Sequence, residues 1–466
     1  MSAPRAVSVA AVDLGAMSGR VMFGRVGPGE LSLSAVARFP NGPVEHADGL
    51  HWNIAALRDH VVAGLAAAVR EDPTVASVGV DSWAVDYGLL QSGELLAQPF
   101  HYRDERNRAA VDRVHALVSA EELYRHSGLQ HLPFNTLYQL AADRDLDRAD
   151  RMLLIPDLFA YWLSGREVAE RTNASTTGLL SALTGRWDDD LIARLGIPRH
   201  LLPDLVEPGT ILGSLTPAMR ERIGADLDVI TVGSHDTASA VVAVPAVTDE
   251  FAYISCGTWG LVGVELDRPV LTEASRAANF THEGGVDGRI RFLHNVMGLW
   301  LLSESLRAWG RDDLPALLAS AAEVSGEVPV FDANDASFLA PGDMPARIGA
   351  WFAERGLRAP DGPIETVRSI VESLAAAFAD AVRTASALSG RRVSVIHLVG
   401  GGSQNELLCQ LTADRSGVPV LAGPVEATAL GNVLVQARAR GAITGSLEAL
   451  RALVAAAFTP RRYDPR

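Results

Sequence analysis

Apolar and polar positions follow one another along the chain in patterns typical of an α/β protein. The short apolar run Val7–Asp13 predicts a buried strand, and the glycine-punctuated turn Leu14–Arg20 leads to a second predicted strand over Val21–Val26. An alanine-rich stretch over residues 54–70 predicts a helix. Residues 105–200 place Asp, Arg and Leu three to four positions apart, which predicts a mainly helical segment.

Later in the chain, short apolar runs and longer amphipathic segments continue to alternate. Further strands are predicted over Val78–Asp86, Asp228–Val232, Val393–Val399 and Val418–Ala422. A helix is predicted over Gln404–Asp414, and the segment Gly423–Gly431 opens a closing helix.

The opening pattern recurs after Pro245. Residues Phe251–Glu265 again read as a strand, a Gly/Thr turn and a strand, and two glycines flank each of the two turns. Glycine-rich hairpin tips let backbone N–H groups approach phosphate oxygens closely. The sequence therefore predicts two duplicated α/β domains, residues 1–244 and 245–466, with a nucleotide held in a cleft between them.

Composition and charge exclude several classes of protein. The 466 residues are 48% hydrophobic and carry a net charge of −15, with the acidic residues dispersed. There is no basic patch for nucleic acid or an anionic membrane, and no apolar run reaches the roughly 20 residues that cross a bilayer. The two cysteines cannot form a disulfide framework, which favours a cytoplasmic location.

The chain has no lysine, so all 41 basic residues are arginine. This excludes a Walker-A lysine, a protein-kinase lysine and a Schiff base. A triphosphate would have to be bound by backbone amides, a metal ion and arginine.

The first hairpin carries polar groups suited to phosphate and metal. Asp13 ends the first strand, where a carboxylate can contact Mg²⁺ through water, and Ser18 and Arg20 can hydrogen-bond phosphate. The alternative for Asp13 is a turn aspartate that accepts hydrogen bonds from its own backbone.

Two later segments are further candidates. The strand-to-helix junction Gly233–Ala240 presents Asp236, which could accept a proton from a substrate hydroxyl during phosphoryl transfer. On residue type alone, a helix-capping role for Asp236 or Thr237 is favoured. The triplet Gly400–Gly402 could accept a nucleoside against bare backbone or could be a simple turn, and it lacks the dinucleotide-binding spacing.

Other kinds of site have little support in the sequence. The twelve histidines show no zinc-ligand spacing. Asp81 and Asp86 lie five apart on a predicted strand and would point to opposite faces, which argues against a glycosidase pair. Tryptophans such as Trp83 could stack on a sugar, although most are expected in the core.

Taken together and in order, a set of motifs resembles the FGGY carbohydrate kinases, which belong to the actin/Hsp70/hexokinase superfamily. The motifs are Asp13–Arg20, Asp81–Asp86, Leu132–Leu140, Thr172–Thr177, Ser234–Ala240, Ser255–Trp259, Asn295–Leu302, Gly400–Asn405 and Gly423–Thr428. The resemblance spans nearly the whole chain. It implies two actin-like, ribonuclease H-like α/β domains with the active site in the cleft between them.

The resemblance also implies an activity: ATP-dependent phosphorylation of the ketose L-rhamnulose at its 1-hydroxyl, with Mg²⁺ as cofactor and ADP as product. Asp236 would be the catalytic base and Asp13 the water-mediated Mg²⁺ contact. The residues implied to bind sugar are Ala84, His235, Asp236, Thr237 and Asn295. Those implied to bind ATP are Ala16, Met17, Ser18, Gly19, Arg20, Thr258 and Gly401. A monomer or homodimer is expected, with no nucleic-acid or membrane partner.

The sequence departs from the family pattern at two positions. Ala84 stands where the family has glycine, which makes a backbone contact with sugar slightly tighter. Ser303 stands where the family can place glutamine near the nucleotide, and it is assigned no role. Two alternatives remain open: a kinase of another ketose, such as L-fuculose or L-xylulose, and a non-catalytic ATP-dependent sensor.

Overall fold

The computed structural model describes residues 5–466. Over residues 5–247 the elements are β1 (Val7–Leu14), β2 (Ser18–Gly27), β3 (Glu30–Pro40), β4 (Pro43–His46), β5 (Gly49–Trp52), α1 (Ile54–Glu71), β6 (Val75–Ser82), β7 (Tyr87–Gln91), β8 (Glu94–Leu95), α2 (Arg106–Leu117), α3 (Ala120–Ser127), α4 (Thr136–Ala142), β9 (Arg151–Leu154), α5 (Ile155–Ser164), β10 (Val168–Glu170), α6 (Arg171–Ala174), α7 (Asp189–Arg194), β11 (Asp204–Val206), β12 (Ile211–Ser214), α8 (Pro217–Ile223), β13 (Asp228–Ile230) and α9 (Asp236–Val242).

The pattern of strands and helices continues through residues 248–466. The elements there are β14 (Phe251–Cys256), β15 (Trp259–Leu266), α10 (Glu273–Ala277), β16 (Thr281–Gly284), β17 (Ile290–Met297), α11 (Trp300–Trp309), α12 (Leu314–Ala322), α13 (Met344–Glu354), α14 (Gly362–Ser389), β18 (Val395–Val399), α15 (Glu406–Ser416), β19 (Val420–Ala422), α16 (Ala427–Ala439), α17 (Leu447–Ala457) and β20 (Arg461–Tyr463).

The chain forms two compact units. The first contains the described residues up to Val247 together with Glu265–Phe292 and Ala427–Ala457, and the second contains Thr248–Val264, Leu293–Glu426 and Phe458–Arg466. The contact units therefore differ from the predicted halves 1–244 and 245–466, because two later segments pack with the first unit. The division of the sequence into domains at residues 1–244 and 245–466 therefore remains a prediction.

A six-stranded sheet forms the centre of the first unit, in the order β12-β13-β6-β1-β2-β3. Strand β1 is antiparallel to β2 and parallel to β6, and β6 is parallel to β13. Strand β1 is almost fully buried, which explains its continuous apolar run. The carboxyl ends of β1, β6 and β13 meet at one edge of this sheet.

Helix α16 packs against this sheet and is buried on nearly all sides. At Gly79 of β6, a Cβ would lie 2.7 Å from the Asn432 side-chain oxygen and 2.9 Å from the Gln436 side-chain nitrogen. At Gly431, a Cβ would lie 1.8 Å from the backbone oxygen of Ser239 in α9. Both glycines therefore permit backbone approaches that a side chain would block.

The second unit is built on a sheet in which the strands follow the order β17-β15-β14-β18-β19-β20. Strand β14 is antiparallel to β15 and parallel to β18, and β18 is parallel to β19. The 28-residue helix α14 packs against α12 and α15, and its Phe378 ring occupies the space beside Gly260 of β15. The strand–turn–strand opening predicted for both halves is confirmed in each unit.

Most predicted elements are present with shifted ends. The predicted strand Val78–Asp86 is wrong at its end, since β6 stops at Ser82 and a turn follows. The segment 105–200 is mainly helical, as predicted, and it also contains the short strands β9 and β10. Over residues 5–466 no helix has both the length and the apolar character that a membrane span requires.

We expect Gly431→Ala to lower the free energy of unfolding by about 1–3 kcal/mol, because its Cβ would overlap the Ser239 carbonyl. Chemical denaturation followed by circular dichroism measures the change. Gly349→Ala is the matched control, since Gly349 lies inside α13 with open space around it. That substitution should stabilise by about 0.5–1 kcal/mol through helix propensity. Equal shifts in the two variants would contradict the close approach.

Candidate active site

The candidate residues of the first unit lie at the carboxyl edge of its central sheet. Asp13 at the end of β1 is in register with Asp81 on parallel β6. Ser82 pairs with His235, and its N–H donates to the Ser234 carbonyl at 2.9 Å. Ligands of open α/β sheets bind at this kind of edge. The fold therefore brings Asp13, Asp81 and the start of α9 to one place.

Asp13 is buried and paired with Arg20 across the β1–β2 hairpin. Its Oδ2 accepts from Arg20 Nη2 at 2.6 Å and from Nε at 2.8 Å. The Asp13 carboxylate therefore has an arginine partner, and the alternative of a turn aspartate that accepts hydrogen bonds from its own backbone stays a prediction. Arg20 keeps a quarter of its side chain exposed.

Asp81 is fully buried beside these groups and was missed as a site residue. Its Oδ2 accepts from Asn432 Nδ2 at 2.6 Å, and its Oδ1 has no hydrogen-bond partner in the described part of the chain. Burial, and then the negative charge of Asp13, raise the pKa of Asp81 well above its usual range, with a smaller contribution from Asp236. This edge of the sheet therefore concentrates acidic side chains, and their proximity favours the protonated form of Asp81.

The Asn432 side chain belongs to a buried polar network that runs from α16 into the sheet. Gln436 Nε2 donates to Asn432 Oδ1 at 2.6 Å and to the Ala10 carbonyl at 3.0 Å. Ser77 Oγ donates to Gln436 Oε1 at 2.8 Å. These bonds fix the Asn432 amide so that its N–H faces Asp81.

The tip of the first hairpin, Ala16–Gly19, is held by hydrogen bonds to its own backbone and to Asn41. The Gly15 N–H donates to the Ser18 carbonyl at 2.9 Å, and Asn41 Nδ2 donates to the Gly15 carbonyl at 2.8 Å. Met17 and Ser18 are exposed. A Cβ at Gly19 would lie 2.1 Å from the Phe39 ring, so this glycine allows β2 to pack against Phe39 of β3.

Helix α9 begins at Asp236, and its N-cap is His235, which makes no side-chain capping bond. The expected capping role of Asp236 or Thr237 is therefore wrong. Asp236 Oδ1 accepts from Thr237 Oγ1 at 3.1 Å and lies 3.4 Å from His235 Nε2. About a third of the Asp236 side chain is exposed, which leaves it accessible to a substrate.

Buried groups from β16 and β17 orient the His235 ring. Arg291 Nη2 lies 3.0 Å from His235 Nδ1, and Glu283 Oε2 lies 3.2 Å from both of these nitrogens. A guanidinium only donates hydrogen bonds and a carboxylate only accepts them, so the two partners of Nδ1 restrain the ring from either side and leave Nε2 facing Asp236. Arg291 and Glu283 lie outside the quoted motifs, and no local sequence pattern pointed to them.

The segment before His235 is anchored by the buried carboxylate of Glu170. Glu170 Oε2 accepts from the Ser234 N–H at 2.9 Å and from Ser234 Oγ at 2.7 Å, and Oε1 accepts from the Thr172 N–H at 2.9 Å. The His235 N–H in turn donates to Thr172 Oγ1 at 3.3 Å. The motifs around Thr172 and Ser234 are thus joined by a residue that no motif contained.

Asp86 lies in a turn after β6, so the expected opposition of Asp81 and Asp86 across a strand does not apply. Asp86 Oδ2 accepts from the indole N–H groups of Trp52 at 2.6 Å and Trp83 at 3.0 Å. Burial raises the pKa of Asp86 to about 6, against the opposing effect of its hydrogen bonds, of which that from Gln139 is the largest. Asp81 and Asp86 therefore lie in separate networks and do not form a carboxylate pair.

In the second unit, Thr258 and Gly401 follow the parallel strands β14 and β18 at one edge of its sheet. The Gly400 N–H donates to the Pro424 carbonyl at 3.1 Å, which adds the Gly423–Pro424 turn to this edge. A Cβ would meet nothing within 4 Å at Gly257 or Gly401, so the space beside both backbones is open.

Asn295 lies on β17, three residues before Gly298. A Cβ at Gly298 would lie 2.5–2.8 Å from backbone atoms of Gly257, Trp259 and Gly260, so the end of β17 approaches the second hairpin closely. Asn295 thus belongs to the same unit as Thr258 and Gly401. Asp13–Arg20, Ala84 and His235–Thr237 belong to the first.

Comparisons with known proteins agree along the whole chain. The model of the FGGY family of carbohydrate kinases, N-terminal domain, matches residues 33–243, and that of the C-terminal domain matches residues 252–440. The chain therefore belongs to the FGGY family of carbohydrate kinases and is a carbohydrate kinase.

Curated relatives narrow the class. A rhamnulokinase of Bacteroides thetaiotaomicron is 40% identical over 463 residues, covering 98% of this chain and 95% of that protein. Rhamnulokinases of Pectobacterium atrosepticum and Enterococcus faecalis are each 41% identical, over 98% and 97% of this chain and 93% of each relative. The chain is thus similar to rhamnulokinases over nearly its full length.

Solved structures share the fold. Gluconate kinase from Lactobacillus acidophilus matches with a TM-score of 0.80 at 18% identity, covering 99% of this chain and 94% of that one. Plasmodium falciparum glycerol kinase with ADP matches with a TM-score of 0.78 at 13% identity, covering 98% and 94%. The predicted two-domain α/β fold of this kinase class is confirmed.

We expect Asn432→Ala to cost about 1–3 kcal/mol of unfolding free energy, because it removes the donor to the buried Asp81 carboxyl. A double-mutant cycle with Asp81→Ala, measured by chemical denaturation, isolates the pair. The cost of Asn432→Ala should fall by about 0.5–3 kcal/mol when Asp81 is already alanine. Strictly additive costs would contradict the proposed coupling.

Proposed function

We propose that this enzyme transfers the γ-phosphoryl group of ATP to the 1-hydroxyl of L-rhamnulose, giving L-rhamnulose 1-phosphate and ADP. The observation that carries the proposal is the similarity to curated rhamnulokinases at about 40% identity over nearly the whole chain. The geometry supports it, since an accessible carboxylate lies at the sheet edge that also holds Asp13 and the first hairpin.

In the proposed reaction Asp236 is the general base. Its carboxylate accepts the proton of the sugar hydroxyl as that oxygen bonds to the γ-phosphorus and the bond to the ADP oxygen breaks. The Thr237 hydroxyl and the His235 ring both contact Asp236 Oδ1. These two contacts fix the carboxylate in one orientation toward the incoming hydroxyl.

Sugar binding is assigned to Ala84, His235, Asp236, Thr237 and Asn295. The buried Arg291 and Glu283 hold the His235 ring, so its Nε2 atom lies on the Asp236 side of the site. Preorganised polar groups of this kind lower the cost of aligning a substrate hydroxyl.

ATP binding is assigned to Ala16, Met17, Ser18, Gly19, Arg20, Thr258 and Gly401. The exposed Met17–Ser18 tip offers backbone N–H groups, and Arg20, which Asp13 holds in place, adds a guanidinium. The open space beside Gly401 leaves its backbone accessible to a nucleoside. These features suit a triphosphate in a chain that has no lysine.

The residues fit a Mg²⁺ ion that is bound mainly through water and phosphate. Among residues 5–466 no group of three His, Cys, Asp or Glu side chains forms a ligand set for a metal. The adjacent buried carboxyls Asp13 and Asp81 repel one another, which a nearby cation would relieve. We therefore assign Asp13 to the water shell of Mg²⁺, which would neutralise phosphate charge when bound.

We expect Asp236→Asn to lower kcat by about a hundredfold or more, because it removes the base. Binding of ATP and sugar, measured by calorimetry, should change little. The control is Asp190→Asn, since Asp190 is an exposed carboxylate on α7 of the same unit, and its kcat should be that of the wild type. An undiminished kcat in Asp236→Asn would remove the proposed role.

A coupled ADP-release assay with Mg-ATP and a panel of ketoses tests the substrate. We expect the highest kcat/KM for L-rhamnulose, with L-fuculose, L-xylulose and D-fructose as comparisons. A higher value for another ketose would keep the kinase mechanism and shift attention to Ala84. ADP release that no sugar accelerates would contradict the kinase assignment and favour a sensor.

A further inference from the structure

The turn that carries Ala84 has an unusual backbone. Val85 has a φ of 69°, in the left-handed region that β-branched residues strongly disfavour. The Asp86 N–H donates to the Ala84 carbonyl at 2.9 Å, two residues back, which closes a γ-turn centred on Val85. A turn of this kind costs on the order of 1–3 kcal/mol and persists only when its surroundings hold it.

Two side chains of α4 hold the centre of this turn. Thr136 Oγ1 donates to the Val85 carbonyl at 2.7 Å, and Gln139 Nε2 donates to the same carbonyl at 3.3 Å. Gln139 Nε2 also donates to Asp86 Oδ1 at 2.8 Å and to the Phe134 carbonyl at 3.0 Å, so its bond to Val85 is the longest of the three. Both side chains are buried, so water does not compete for these bonds.

The other oxygen of Asp86 holds the residues around the turn. Asp86 Oδ2 accepts from Trp52 Nε1 and Trp83 Nε1, and from the Tyr102 N–H at 3.2 Å. The Trp52 and Trp83 rings lie 4.1 Å apart between their centroids. One buried carboxyl therefore fixes both indoles and the end of the turn.

The turn is directly connected to the edge of the sheet where Asp236 lies. The Trp83 N–H donates to the Leu14 carbonyl at 3.0 Å, next to Asp13, and the preceding Ser82 pairs with His235. A change in the backbone at Val85 would therefore shift Ala84, its neighbour in the chain. It would reach the start of α9 through Ser82, which lies three residues before Val85 and pairs with His235.

We infer that Thr136, Gln139 and Asp86 are positioning residues that hold the Ala84–Asp86 γ-turn in its strained form, and that this form sets the affinity and selectivity for the ketose. The inference rests on the proposed function, in which Ala84 contacts sugar. None of the three residues is assigned to sugar, ATP or metal there. Their effect should appear on the sugar and leave the nucleotide unaffected.

The test removes the hydroxyl of Thr136 while keeping its shape. Thr136→Val should raise KM for the preferred ketose at least tenfold, leave KM for ATP within about twofold, and narrow the kcat/KM ratio between that ketose and the next best. Thr136→Ser, which keeps the hydroxyl, should remain close to the wild type. Gln139→Met removes the second donor to the Val85 carbonyl and should give the same split between the two KM values.

Thr412→Val is the matched control, because Thr412 is a fully buried threonine of α15 that donates to the Leu408 carbonyl within its own helix. Loss of the Thr412 hydroxyl should leave the KM values for the ketose and for ATP unchanged. A merely structural role for Thr136 would lower the amount of active enzyme without a selective change in sugar KM, and that result would overturn the inference.

The wild-type assay distinguishes a failure of the positioning role from a failure of the proposed function. Ketose-dependent ADP release by the wild type with an unchanged sugar KM in both Thr136→Val and Gln139→Met would overturn the positioning role alone. Absence of any ketose-dependent release by the wild type would overturn the proposed function, and the positioning role with it.

Discussion

The parallel register of β1, β6 and β13 is the constraint on which the first unit depends. Because parallel strands end at the same edge, Asp13, Asp81 and the His235–Asp236 segment meet there although they are far apart in sequence. Of the acidic side chains gathered at this edge, Asp13 pairs with Arg20 and Asp81 accepts a hydrogen bond from the Asn432 amide. In the proposed reaction, the substrate would therefore meet carboxyl groups whose partners the fold has already supplied.

The sequence predicted the fold well because its strongest signals are local. Glycine-rich turns between apolar runs identify the two opening hairpins, and the ordered motifs carry the family resemblance. The residues that support the site were not predictable in this way. Glu170 and Arg291 act through partners 64 and 56 positions away, and such pairings leave no periodic pattern in a single sequence.

Residue type alone also misjudged two carboxylates. Asp236 was expected to cap its helix, but His235 occupies that position, which frees the Asp236 side chain for other contacts. Asp86 was expected on a strand, but β6 ends at Ser82. In both cases the deciding factor was the backbone conformation over one or two residues, which propensity does not resolve.

Helix α16 has a consequence for the order in which the chain acquires its structure. Its amides bond to Asp81, Gly79 and Ser77, which precede them by 351, 353 and 359 positions. During synthesis the first sheet therefore emerges with one face uncovered, and its cover arrives only after most of the second unit has been made. The first unit can therefore be completed only after α16 has been synthesised.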